Sequence, residues 1–179
     1  MLRLFLAIAL PKEVRDLIGT MQSGLPDARW IRRESLHLTM RFIGGVDINL
    51  AEDIHYALSK LTFETFSLRL QGVNSFRSRK LVRSIWIGIE PSAPLKVLHQ
   101  KIESNLIETG LPRESRRFTP HVTLARFKRT PITKLIPYLE ANAGFQTSPF
   151  EINQVVLYRT HLAEGGADYE KLATYPEFS

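Results

Sequence analysis

The chain has 179 residues, enough for one substantial core or two small lobes sharing one, and no cysteine, which excludes disulfides, cysteine-ligated zinc and thiol catalysis. Apolar residues make up 44% and charged residues 23%, a balance that argues against a mainly disordered chain. Lys and Arg exceed Asp and Glu by 24 to 18, and the net charge of +6 with a pI near 9.8 favours an anionic partner such as RNA, a nucleotide or an acidic surface.

The N-terminal run LFLAIAL is short, has one preceding arginine and runs directly into PKEVRDLIG, so a buried strand is expected there rather than a secretion signal. A helix opening at Pro11 is expected over residues 11–22, followed by a strand over SLHLTMRFIG that ends at Gly44-Gly45. INLAEDIHYALSKL has helical spacing, with Leu50, Ile54, Leu58 and Leu61 on one face. FSLRLQGV and SIWIGIE read as strands joined by a basic loop, NSFRSRKLVR. PLKVLHQKIESNLIETG is expected to be a helix closing at Gly110, FTPHVTLARF a strand, PITKLIPYLEAN a helix opening at proline, and FEINQVVLYRT and YEKLATYPEF the last strands. Strands and helices alternate in two comparable halves with no linker between them. The expectation is therefore an α+β chain: a bilobal duplicated fold filling residues 1–179 as a single domain, with two antiparallel sheets facing a central cleft and helices outside. No apolar stretch approaches the roughly 20 residues that span a bilayer, and the lack of cysteine suits a reducing cytoplasm.

Each half carries one copy of the same pattern: HLTM at 37–40 and HVTL at 121–124. Side chains alternate along a strand, so His37, Thr39 and Arg41 are expected to share one face, and Leu38, Met40 and Phe42 the other. By the same rule His121 and Thr123 share a face, with Val122, Leu124 and Arg126 behind. Two imidazoles that titrate near neutrality, one per half, supply both proton transfers needed to break a phosphodiester, and neither transfer needs a metal. The threonine beside each histidine supplies a hydroxyl donor for a non-bridging phosphate oxygen.

A single H-x-T is no more than a half-buried histidine beside a β-favouring residue; the recurrence in both halves, with basic flanks, points to chemistry. Those flanks are Arg32, Arg33 and Arg41 around the first copy, and Arg113, Arg116, Arg117, Arg126, Lys128 and Arg129 around the second. Arg41 is a candidate for phosphate charge. Arg117 joins it only if Pro120 leaves the strand regular, and Arg126 only if the strand twists or bulges. Phe42, Phe76 and Phe118 are candidate base-stacking residues, though each fits a core equally well. Zinc catalysis usually takes three protein ligands, and His37 and His121 have no carboxylate on the motif face to complete a set, so no metal or cofactor is expected.

HLTM and HVTL, together with LRLFLAIALP, RWIRRESLHLTMRFIGG, RFTPHVTLAR and LYRTHLAEGGADYEKL, resemble the two-histidine phosphoesterase superfamily, in its branch of RNA 2′,3′-cyclic phosphodiesterases historically named 2′-5′ RNA ligases. The resemblance covers most of the chain in order. It implies metal-independent opening of an RNA terminal 2′,3′-cyclic phosphate by water to leave a 2′-phosphate. It also implies His37 as proton donor to the leaving 3′-oxygen, His121 as proton acceptor from water, and Thr39 and Thr123 as donors to the phosphate oxygens. The partner expected is an RNA or oligonucleotide with a cyclic phosphate end, met by a monomer. Action on small cyclic nucleotides, reverse 2′-5′ ligation and a non-catalytic RNA- or nucleotide-binding module are the competing readings. Thr160 stands where the resemblance leads one to expect serine, and His161, lacking an H-x-T of its own, reads as a surface residue.

Overall fold

The computed structural model describes residues 1–177, so Phe178, the last residue of the expected strand YEKLATYPEF, lies outside the described residues. Strand β1 (Leu2–Ala9), buried from Leu4 to Ile8, runs inside a sheet, with β3 (His37–Val46) on one side and β9 (Val155–Ala163) on the other. Between β1 and β3 come α1 (Lys12–Gly19) and the two-residue β2 (Arg29–Trp30), which the sequence pattern did not reveal. Helix α2 (Ile48–Ser59) is capped by Asp47, whose side chain accepts from the Leu50 N–H at 2.9 Å, and it buries Ile54 and Leu58 as its spacing predicts.

FSLRLQGV divides at Arg69 into β4 (Phe66–Leu68) and β5 (Leu70–Ser78), which take different partners. The expected basic loop is instead the end of a hairpin: β5 and β6 (Leu81–Ile89) pair through it and turn at Arg79, where φ is 57°. This correction brings Phe76 onto a strand. Helix α3 (Ala93–Ile107) follows, capped by the Ser92 hydroxyl, and Gly110, at φ 89°, supplies the left-handed residue that closes its end. Strand β7 (His121–Pro131) starts at the histidine itself. In PITKLIPYLEAN a 3-10 turn precedes a short α4 (Ile136–Ala141), because Pro137 is tolerated only in the first turn of a helix. β8 (Phe150–Ile152) pairs with β4, and β10 (Gly166–Tyr175) with β9.

The strand order is β10-β9-β1-β3-β7-β6-β5, with β2 beside β7 and β4-β8 as a separate ribbon; every pairing is antiparallel. The succession β1-α1-β3-α2-β4 matches β6-α3-β7-α4-β8, so an approximate two-fold relates the halves. The halves join edge to edge at one paired position, Leu38 opposite Val122, and each of these follows its motif histidine by one residue. The fold is thus α+β and antiparallel without a closed barrel. Leu38 and Val122 are fully buried in the core with Leu6, Ile8, Ile85 and Ile87, so truncating Leu38 to alanine costs about 2–5 kcal/mol where the two motifs are held together. No helix among the described residues is long and apolar enough to cross a membrane.

Candidate active site

Both motif strands contain a bulge at the same place, and it decides which side chains reach the cleft. In β3, Thr39 lies opposite Ala7 and Arg41 opposite Leu6, leaving Met40 as an extra residue. In β7, Thr123 lies opposite Trp86 and Ala125 opposite Ile85, leaving Leu124 extra. The alternation of faces therefore flips after the third motif residue: Met40 and Arg41 are both buried, as are Leu124 and Ala125. Phe42 and Arg126, each five residues beyond its histidine, swing onto the histidine face. Regular alternation had placed both behind.

Arg41, expected beside His37, goes the other way. Its guanidinium is buried against Glu103, with Nε 2.5 Å from Oε1, and donates to the carbonyls of Phe42 and Pro112 at 2.6 Å. It is a structural ion pair behind the sheet and does not line the histidine cavity. Arg117 also departs from expectation, because β7 begins only at His121; it lies exposed in the preceding loop and borders an adjoining groove.

The cavity itself measures about 550 Å³ and takes its walls from both halves: His37, Thr39 and Phe42 from one, His121, Thr123 and Arg126 from the other. Each imidazole is fixed by the same device. Nδ1 of His37 lies 2.7 Å from the Ser35 carbonyl and Nδ1 of His121 lies 2.6 Å from the Thr119 carbonyl, in both cases two residues upstream. A carbonyl only accepts, so Nδ1 carries the hydrogen and Nε2 is the atom left to exchange protons. Nε2 of His37 lies 3.0 Å from the Thr39 hydroxyl, which donates to the neutral ring and accepts from the protonated one.

Aromatic rings pack around each histidine. Phe5 and Tyr169 flank His37 at centroid distances of 5.1 and 5.4 Å, and Phe76 and Trp86 flank His121 at 4.9 and 5.5 Å. Burial holds both imidazoles below their ordinary value near 6.5; the backbone carbonyls oppose the shift and the Arg126 charge adds to it. Burial therefore favours the neutral form of both rings in the free protein. A phosphate anion placed beside either imidazole would oppose that shift by favouring the charged form.

Residues 10–164 match the model of the 2′-5′ RNA ligase superfamily. The chain belongs to that superfamily. It is 30% identical over 161 residues to an RNA 2′,3′-cyclic phosphodiesterase of Aeropyrum pernix, covering 89% of this chain and 90% of that protein. It is 29% identical over 178 residues to an RNA 2′,3′-cyclic phosphodiesterase of Geobacillus stearothermophilus, covering 96% of this chain but only 56% of that longer protein. Among solved structures, apo E. coli LigT superposes with a TM-score of 0.81 at 27% identity, covering 97% of this chain and 96% of that one. The complex of LigT with 3′-AMP gives 0.78 at 25% identity, covering 97% of each chain.

In this superfamily member several cleft residues escaped sequence reasoning. Arg3, the one charge in an otherwise apolar first strand, lines the cavity, and that isolation was its only signal. Arg116 lines it too, although the sequence offered it only as one of several basic flanks. Phe5 looked like core, and Tyr169 arrives from β10 at the far end of the chain with no local pattern to mark it. Thr160 also borders the cavity, whereas His161 points outward and pairs with Glu170 at 2.6 Å. Among the described residues no three His, Asp or Glu side chains converge in a metal-holding arrangement.

Proposed function

We propose that this chain hydrolyses an RNA terminal 2′,3′-cyclic phosphate to a 2′-phosphate by acid-base catalysis from its two motif histidines. One observation carries the reading: two imidazoles on equivalent strands are locked as Nδ1–H tautomers by carbonyls two residues upstream, with both Nε2 atoms left for proton exchange in one cavity. The superfamily membership and the phosphodiesterase relatives support it.

Nε2 of His121 takes a proton from water as the water oxygen bonds to phosphorus, and the bond from phosphorus to the 3′-oxygen breaks. Nε2–H of His37 delivers its proton to that 3′-oxygen, which leaves as a hydroxyl, and the phosphate stays on the 2′-oxygen. The division of roles between the histidines is carried over from the resemblance. The cyclic phosphate's negative charge favours the protonated form of His37 that the free protein disfavours, so the acid is charged by the substrate it serves. The Thr39 and Thr123 hydroxyls donate to non-bridging oxygens, and Arg126 offsets the charge that develops on them. Phe42, 59% exposed on the cavity wall, offers its ring to the terminal base. Binding and chemistry are complete within one chain, and the lack of cysteine suits work in the cytoplasm.

The test separates chemistry from binding. His37→Ala and His121→Ala are expected to abolish turnover while still binding a non-hydrolysable oligonucleotide end about as well as the wild type. Turnover within threefold of wild type in either variant overturns the two-histidine reading.

A further inference from the structure

We infer that the groove beside the catalytic cavity holds the nucleotide upstream of the cyclic phosphate end, with Arg117 and Phe118 as the residues that meet it. The inference rests on the proposed reaction and deepens it. The groove encloses about 350 Å³ and is continuous with the cavity through Thr39, Phe42, Phe76, Arg116 and His121, which border both. Phe42 and Phe76, 59% and 38% exposed, are the two exposed phenylalanines among the described residues. Farther along, Phe118 stacks flat on His99, with centroids 3.9 Å apart and planes within 3°.

Charge favours this exit over the side of Arg32. With the cyclic phosphate at the two histidines, the terminal nucleoside carries the next phosphate on its 5′-oxygen, and the strand must leave the cavity on one side. On the side of Arg32, the guanidinium is bonded to Asp168 and lies beside Glu34, so two carboxylates face one cation and repel a phosphate. On the side of the groove, the segment LPRESRRF sets Arg116 and Arg117 on the wall beside one acid. That acid, Glu114, already lies between Arg41 at 3.7 Å and Arg116 at 3.8 Å. Arg117 has no carboxylate partner among the described residues and stands at the groove's edge, where an upstream phosphate would meet it. A basic rim over aromatic faces is the general arrangement for single-stranded nucleic acid.

The experiment compares kcat/KM on adenosine 2′,3′-cyclic phosphate and on a trinucleotide ending in the same cyclic phosphate, for wild type, Arg117→Ala, Arg117→Lys and Phe118→Leu. The wild type is expected to favour the trinucleotide by about tenfold, the scale of one base-aromatic stack. Arg117→Ala and Phe118→Leu should each erase most of that preference while leaving mononucleotide hydrolysis unchanged, and Arg117→Lys should restore it. Arg117→Ala should also flatten the salt dependence for the trinucleotide alone. Arg117 is exposed, so its variants test the inference even if Phe118→Leu folds poorly. Equal wild-type efficiency on both substrates, or a preference that survives both variants, overturns the groove assignment and leaves the reaction standing. Hydrolysis of neither substrate overturns the reaction itself.

Discussion

Exchanging the fates of two arginines tests how the bulges build the site. Arg41→Ala is expected to cost stability and Arg126→Ala to cost rate, the reverse of what regular alternation along the strands implies. Removing Arg41 leaves the Glu103 carboxylate, 9% exposed, without its cation, and leaves the Phe42 and Pro112 carbonyls without their donor. Breaking a buried pair from one side costs about 3–5 kcal/mol, a large share of the 5–15 kcal/mol typical of a folded domain. With a urea slope of about 2 kcal/mol per molar, the unfolding midpoint falls by roughly 2 M. Arg126 is exposed on the cavity wall, so its truncation should change stability by no more than about 0.5 kcal/mol. It should lower kcat/KM by about 10²–10³, the usual loss when one donor to a developing oxyanion is removed. Urea unfolding followed by circular dichroism gives the first quantity and cyclic phosphate hydrolysis well below the melting temperature gives the second. An Arg41→Ala protein with native stability but collapsed turnover would refute the placement of these side chains.

Thr123→Ser should retain most of the activity and Thr123→Val should lose about 10²-fold in kcat, measured on the same substrate, because only the hydroxyl is required. His37, His99 and His121 are all held below their ordinary value, chiefly by burial, so the unfolded chain binds more protons than the folded one as pH drops below about 6.5. Their contribution to stability is therefore full above that pH and is lost as pH falls towards their depressed folded values. Urea midpoints at pH 7.5 and 5.5 should differ by less in His37→Gln than in the wild type. A side-chain carbon added at Gly88, which lies opposite His121, would sit 2.8 Å from the Gln71 carbonyl. Gly88→Ala should accordingly destabilise by about 1–3 kcal/mol in thermal unfolding and reduce turnover by displacing β6.

Much of this was legible in the sequence because it followed from local rules. The strands around His37 and His121 have clear alternation, α2 has a clear apolar face, and the repeated H-x-T marked the two residues that meet in the cleft. What alternation could not give was its own interruption. A bulge adds one residue without leaving a glycine or proline at Met40 or Leu124, so Arg41, Phe42 and Arg126 each lie on the face opposite to the one expected. The hairpin through NSFRSRKLVR was hidden for another reason: its strand ends are basic because they border a polar cleft and solvent. Tyr169 carried no local signal and Arg3 only its isolation, because their roles depend on which strands become neighbours.

The most direct test of the central claim is to incubate the protein with an RNA oligonucleotide ending in a 2′,3′-cyclic phosphate in excess EDTA and identify the phosphate on the product. A 2′-phosphate, formed by the wild type and by neither histidine-to-alanine variant, is the predicted result. A 3′-phosphate, or turnover that stops in EDTA and returns with a divalent metal, would contradict the account.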